Sequence, residues 1–394
     1  MTHDRPIKVL HVVHALGMGG AETWLMEVLR RWSKDGSGTM DFLATSGEPG
    51  VFDDEACRLG ARIHYVRYGR NRIRRFARAL QQILRQERYA AIHDHQDYIS
   101  GWHFLLASRD LPPVRVTHVH NGYRVRSHGR STLAQRVSAR VGKNLIRRHG
   151  THIIGTSRHV IAEYGFDSAE FRHLATGPLY CGFDPTRFLC DRESARASLR
   201  RELRWPDAAT IVLVAGRIDD SVDSDHAHSH KNSTFAVSVG IECARRNRSV
   251  RVLFAGKRSA AVPELERRIS AAGFDDRFRF AGIRTDIARV MAGSDVLLFP
   301  SRSEGLGMAA VEAQAAGLPV LASDAVPREC VVVPQLVRFE PLVATPSVWA
   351  DAMLQLADQR RDPIAANRQV ALSPFAIEQS SRALLHLYRT GSLA

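Results

Sequence analysis

The stretch from Asp295 to Ala322 constrains the fold of this chain more than any other. An apolar run, Asp295-Val-Leu-Leu-Phe-Pro300, leads into a glycine-bearing loop, Ser301-Arg-Ser-Glu304-Gly-Leu-Gly307. A helical stretch from Met308 follows, and a second apolar run, Pro319-Val-Leu-Ala322, comes after it. Gly317 stands where a helix C′ glycine belongs, with Pro319 just beyond. Strand, loop, helix and strand at this spacing make a parallel βα unit, because parallel strands need a crossover between them. Glu304 then lies in the loop past the carboxyl end of one strand, and Glu312 lies inside the helix. That edge is where open α/β sheets bind ligands. Carboxylates there accept hydroxyl hydrogen bonds, while backbone N–H groups at the helix start suit an anion. A sugar nucleotide offers both kinds of group.

The same alternation runs along the whole chain. Strands are expected at Val9–Val13, Phe42–Thr45, Ile63–Val66, Ala91–His93, Val114–Val119 and His152–Gly155 in the first half. In the second half they are expected at Ile211–Ala215, Val250–Ala255, Phe278–Ala281, Val296–Phe299 and Val320–Ala322. With 394 residues the chain exceeds one ordinary core. The polar, proline-containing stretch from Asp184 to Asp207 separates the two series. The expected organisation is α/β, with one Rossmann-like doubly wound domain over residues 1–188 and a second over 189–375. A last amphipathic helix within 376–394 would pack back toward the first domain.

Charge is distributed unevenly. Residues 1–190 hold 28 Lys/Arg against 17 Asp/Glu, a net +11 of the chain's +14. No acidic residue occurs from Leu111 to Ala162. An anionic partner for the first half follows. The helix pattern from Arg72 to Arg88 and the basic cluster from Arg124 to Arg148 suit either solvated helix faces or contact with anionic lipid. No helix-turn-helix, zinc-finger or RNA-recognition pattern accompanies the charge, so nucleic acid is not expected as a partner. Five scattered cysteines, never in a CxxC pair, fit reduced cytoplasmic thiols. No apolar run approaches the ~18 residues of a membrane span, and the opening Ile7–Val13 reads as a strand rather than a signal peptide.

Several residues stand at strand ends in positions that carry chemistry. Gly17, Gly19 and Gly20 lie between the first strand and a helix with Trp24, Leu25, Val28, Leu29 and Trp32 on one stripe. They permit close backbone approach to a phosphate, although Glu22 occupies the third glycine position of the dinucleotide fingerprint. Arg217 directly follows the strand Ile211–Ala215, and Lys231 opens the next helix pattern. Fork and point charge together suit a pyrophosphate. His120 ends the strand Val114–Val119 and His95 ends another; His120 is the preferred candidate for polar contact or proton transfer. The Asp219–His230 segment holds Asp219, Asp220, Asp223, Asp225, His226, His228 and His230. Its spacing fixes no coordination geometry, so a solvated loop insertion is expected and no metal site.

In combination these motifs resemble the retaining, nucleotide-sugar-dependent glycosyltransferases of family four, the group 1 type with two Rossmann-like domains facing across a cleft (GT-B). The resemblance rests on Glu304-x7-Glu312 and on Gly216-Arg217, Lys231-Asn232, Phe280-Ala-Gly282, Gly155-Thr-Ser157 and Gly17-x-Gly-Gly-Ala-Glu22. The opening and Val119-His120-Asn121 are most similar to bacterial exopolysaccharide and capsule members. The resemblance implies a metal-independent, hexosyltransferase-type enzyme without a cofactor, its donor a nucleoside-diphosphate sugar with UDP or GDP. It implies that Arg217 and Lys231 bind the diphosphate and that Glu312 holds the ribose. Glu304 with the Gly305, Leu306 and Gly307 backbone would orient the sugar, and His120 would contact it from the first domain. The acceptor would be a glycan or a lipid-linked molecule at the inner face of a bacterial membrane, met by the basic first domain.

Two features depart from the family pattern: thirteen residues lie between Arg217 and Lys231, and Cys181 stands where many members have asparagine. A sugar-nucleotide epimerase or a phosphorylase of the same architecture, or a non-catalytic basic surface-binding protein, are the alternative readings.

Overall fold

The computed structural model describes residues 6–107, 109–122, 132–223, 229–359 and 361–393. It divides into two compact units, Met1–Phe183 with Ile377–Ala394, and Asp184–Ala376. Asp184–Phe188 belongs to the second unit, where the Asn367 Nδ2 amide donates to the Pro185 carbonyl at 2.7 Å and to that of Ala315 at 2.8 Å.

The first unit is built on a parallel sheet of β1 (Ile7–Val13), β2 (Gly38–Ala44), β3 (Ile63–Tyr65), β4 (Ala91–Asp94), β5 (Val114–Val119), β6 (His152–Gly155) and β7 (Ala175–Pro178). Its order is β3-β2-β1-β4-β5-β6-β7. The central strands read as near-continuous apolar runs because helices cover both faces. On one face the helix Gly20–Asp35 buries Trp24, Leu25, Met26, Val28, Leu29 and Trp32. The C-terminal helix Ile377–Thr390 packs beside it. There the indole N–H groups of Trp24 and Trp32 donate to the Ser380 and Ser381 hydroxyls at 2.8 and 2.9 Å. On the other face the helix Ile73–Gln86 buries Phe76, Leu80, Ile83 and Leu84 and leaves Arg74, Arg75 and Arg78 exposed.

The second unit carries β8 (Thr210–Ala215), β9 (Val250–Ala255), β10 (Phe278–Phe280), β11 (Val296–Phe299), β12 (Val320–Ser323) and β13 (Val337–Glu340). These too are parallel, in the order β10-β9-β8-β11-β12-β13. Sequence periodicity finds neither β7 nor β13. The first is an edge strand containing Gly177 and Pro178, the second an edge strand with Arg338 and Glu340, and neither has an apolar run to announce it.

At the amino end of β11 the buried Asp295 accepts from the Ile211 amide and from Arg200 Nη2, both at 2.8 Å. Arg196 also donates to it, Arg192 lies at 3.3 Å and Arg361 at 3.7 Å. One carboxylate thus gathers four guanidinium groups at the edge opposite the candidate site. No helix among the described residues is long and apolar enough to cross a membrane.

Candidate active site

In the second sheet the strand order reverses between β8 and β11, and such a switch point leaves a crevice at the carboxyl ends. Three of the expected residues come from its two walls. β8 runs into Gly216 and Arg217, β11 runs into the loop bearing Glu304, and Lys231 comes back just before the helix Ser233–Arg246. Lys231 Nζ meets Glu304 Oε1 at 2.6 Å and lies 5.3 Å from the centre of the Phe299 ring. Their side chains are only 29% and 11% exposed, so this is a largely desolvated pair. Arg217 lines the same pocket as Lys231, is exposed, and has no hydrogen-bond or charged partner among the described residues.

The walls approach closely because glycine permits it. A Cβ on Gly256, at the end of β9, would lie 1.8 Å from the Gly216 carbonyl oxygen, and Gly216 itself has φ 130°. Gly256 is needed for this close approach, and its signal in the sequence is a glycine directly after an apolar strand.

Lys231 is held by Asp219. One Asp219 oxygen accepts from the Lys231 amide at 2.9 Å, and the other from the Ser233 amide at 2.8 Å and the Ser233 hydroxyl at 3.1 Å. The carboxylate therefore satisfies donors at the opening of Ser233–Arg246, where Asn232 adopts a left-handed φ of 59°. Asp219 is 1% exposed, which corrects its reading as part of a solvated loop. Sequence pattern alone did not separate it from the exposed Asp220 and Asp223 beside it. The Ser229 hydroxyl closes the far end of the insertion on the Asp223 carbonyl at 2.6 Å. Asp225, His226 and His228 lie outside the described residues.

Gly305, Leu306 and Gly307 form the turn into the helix Met308–Ala315. Gly307 has φ 95°, and a Cβ there would press on Phe299 and Val326. The helix ends in a Schellman arrangement, with Gly317 at φ 66° and the Leu318 amide donating to the Ala313 carbonyl at 2.8 Å. Glu312 is part-buried, and its carboxyl has no hydrogen-bond partner among the described residues. Burial pushes its carboxyl up to about 7, and Arg187 opposes the shift. Arg187 comes from the segment that opens the second unit, a neighbour that the motif spacing did not suggest. The buried Gln314 of the same helix donates to the Ala310 and Cys330 carbonyls and accepts from the Val332 and Val333 amides, all at 2.8 Å. It fixes the helix against the following loop.

In the first unit, Gly17, Gly19 and Gly20 form the turn between β1 and the helix Gly20–Asp35. A Cβ on Gly19 would meet only the end of the Glu22 side chain, which can move aside, and Gly17 and Gly20 face open space. Burial raises the Glu22 carboxyl above its ordinary range. It also pushes the Cys181 thiol up to about 12, with the Glu22 charge adding to the effect. His120 lies just past β5, with one ring nitrogen 2.8 Å from His95. Burial drives His120 down to about 3, so the imidazole is neutral around pH 7. His95 in turn lies 3.0 Å from His11 of β1, and His93 of β4 lies 3.1 Å from His118 of β5. His11 and His118 were missed from sequence, but the repeated His-x-His at two strand ends was the signal. Residues two apart on a strand share a face.

Two parallel-sheet α/β units of seven and six strands match the GT-B fold class of glycosyltransferases. A family profile described as "Glycosyltransferase Family 4" matches residues 18–172, and one described as "Glycosyl transferases group 1" matches residues 224–359. The chain belongs to the family-four, group 1 glycosyltransferases. It is 26% identical to EpsF of Bacillus subtilis (strain 168), which is named as a glycosyltransferase, over 97% of this chain and 96% of that one. Among solved structures it is similar to Alr3699/HepE from Anabaena in complex with UDP and glucose. That match has 18% identity and a TM-score of 0.73, and covers 98% of this chain and 100% of the other. A glycosyltransferase from Rickettsia africae matches at 16% identity and TM-score 0.74, covering 98% of each chain.

Proposed function

We propose that this protein transfers a sugar, with retention of anomeric configuration, from a UDP- or GDP-sugar to a glycan or lipid-linked acceptor in bacterial surface polysaccharide synthesis. The observation that carries this reading is the 2.6 Å Lys231–Glu304 pair at the switch point, beside the uncommitted Arg217. The pair is a placeholder. An arriving diphosphate takes Lys231 and Arg217, and Glu304 is released to accept hydrogen bonds from the donor sugar. Glu312 accepts the ribose hydroxyls, and the amides of Gly305, Leu306 and Gly307 face the sugar end of the donor. His120 is the group we assign to the sugar from the first unit.

The bond from the anomeric carbon to the diphosphate oxygen breaks, with its electron pair leaving on the diphosphate. The acceptor oxygen bonds to the same face of that carbon, and its proton passes to the departing phosphate. Two cations offset the developing charge, so the step needs electrostatic stabilisation more than a strong base, and neither a metal nor another cofactor is part of it. Structural likeness to a protein solved with UDP and glucose supports a nucleotide-sugar donor.

Work at the inner face of the membrane is the setting in which the basic first unit has a use. On the helix Leu133–His149, Leu133 and Val137 are 78% and 53% exposed and share a stripe with the exposed Arg136 and Arg140. Apolar contact plus basic charge is the mixture that holds a helix on an anionic bilayer.

The test is a thermal-shift panel of UDP, GDP, ADP, CDP and dTDP with their sugars, in EDTA. One base-selective shift that Lys231→Ala abolishes is the expected result. No shift with any nucleotide, in a folded protein, would remove the assignment of a donor site.

A further inference from the structure

The first sheet collects five imidazoles at its carboxyl edge: His11 from β1, His93 and His95 from β4 and just beyond, and His118 and His120 from β5 and just beyond. The register places His11 beside His93. Because Asp94 pairs with Thr117, the next residues, His95 and His118, continue side by side. The rings stack, with centroids 3.9 Å apart for His118 and His120, 4.3 Å for His93 and His95, and 5.0 Å for His95 and His120. One ring nitrogen from each of His95, His118 and His120 lies within 4.8 Å of the other two. A tetrahedral ion with metal–nitrogen bonds of about 2.0–2.1 Å separates its ligand nitrogens by about 3.4 Å. The nitrogens must therefore converge by at most about 1.4 Å to close such a set.

We propose that His95, His118 and His120 form a three-imidazole site for a divalent transition-metal ion of the zinc class. The hydrogen bonds around the three rings admit a set of tautomers that suits ligation. His118 Nδ1 lies 3.1 Å from His93 Nε2, and His93 Nδ1 is hydrogen-bonded to the Tyr388 hydroxyl. That leaves His118 Nε2, which is buried and has no partner, as the nitrogen to give. With Nε2 on an ion, Nδ1–H of His118 donates to His93, and Nδ1–H of His93 donates to Tyr388. His95 Nε2 lies 3.0 Å from His11 Nδ1, so that N–H donates to His11 and His95 Nδ1 faces His120 Nε2 at 2.8 Å. These tautomers leave His118 Nε2 and His95 Nδ1 bare, and an ion on those two and on His120 Nε2 displaces the single proton of the 2.8 Å His95 Nδ1–His120 Nε2 hydrogen bond.

His11, His93 and Tyr388 are then the partners that fix tautomer and ring orientation, as surrounding groups do in metal sites generally. The group contains no carboxylate among the described residues, and imidazole alone favours zinc, copper, nickel or cobalt over magnesium or calcium. His95 and His120 are part-exposed, which gives an ion a way in and leaves a fourth position open on that side. The site lies in the first unit and uses none of the Arg217, Lys231, Glu304 and Glu312 set, but it shares His120 with the sugar contact assigned above, so His120 serves the ion or the sugar and not both at once.

The test uses the full chain, stripped with chelator and titrated with Co2+. The expected result is the visible absorption of tetrahedral Co2+, saturating at one ion per chain and bleached by Zn2+. His95→Gln and His118→Gln should each abolish it, and His11→Gln should weaken binding 10–100-fold. His120→Gln keeps the test available should the buried His118 substitution not fold, with circular dichroism as the check. Replacing His226, His228 and His230 together by alanine should leave the absorption intact. Absence of the band in the folded parent chain overturns the site. So does a band that survives His95→Gln and disappears with the 226/228/230 triple variant.

Discussion

Glu312 offers the sharpest test of the donor-site reading, because its carboxyl is held near 7 by burial rather than by a partner. In the unfolded chain the group titrates near 4.5. Between these two values the folded state binds more protons than the unfolded one, so stability falls as pH rises from about 4.5 to about 7. A displacement of that size corresponds to roughly 3 kcal/mol of destabilisation once both states are ionised. Glu312→Gln keeps the shape and removes the charge. It should therefore match the parent near pH 4.5 and exceed it at pH 8, by up to about 3 kcal/mol in urea denaturation.

The same substitution should cost donor affinity, since a hydrogen bond from a ribose hydroxyl to a charged acceptor contributes about 1.5–3 kcal/mol. Nucleotide binding to the parent at pH 7 should release protons, as the ligand's hydroxyls favour the ionised carboxylate. Calorimetry in buffers of different ionisation enthalpy reads that release directly. A variant that is no more stable at pH 8, or that binds nucleotide as tightly as the parent, would refute the argument.

Glu304→Gln frees Lys231 from its competitor, so affinity for the bare nucleoside diphosphate should rise by up to about tenfold (~1.4 kcal/mol) while transfer is lost; titration calorimetry against product assay separates the two effects. Gly256→Ala drives a methyl into the Gly216 carbonyl, backbone against backbone, and should cost at least ~2–4 kcal/mol by chemical denaturation together with nucleotide binding. Asp295→Ala leaves the buried Arg200 and the part-buried arginines around it uncompensated, and a loss of about 3–5 kcal/mol in denaturation midpoint analysis is expected although no site residue is touched.

Much of the architecture was legible because buried parallel strands are apolar runs and their crossovers carry helix caps and stops. The carboxyl edge followed from Glu304 and Arg217 standing at strand ends, a position any βα pattern exposes, whereas the reversal of strand order between β8 and β11 did not. What escaped was three-dimensional convergence. Asp219 lies in a row of like residues, and only the folded backbone singles it out as the one turned inward onto Ser233. Arg187 reaches the surroundings of Glu312 from a segment far away along the chain. Tyr388 joins the histidines from the other end of the sequence, a meeting with no local signature. The edge strands β7 and β13 escaped for a different reason, since exposed strands need no apolar periodicity.

The way Asp219 and Ser229 bracket the insertion has a practical corollary. The Lys231 backbone is pinned from its own side by Asp219, and the Asp223 carbonyl is joined to Ser229 across the base, so two separate ties stand between the insertion and the lysine. An affinity handle grafted beyond those ties would leave them untouched, so the protein could be immobilised with its candidate donor site undisturbed.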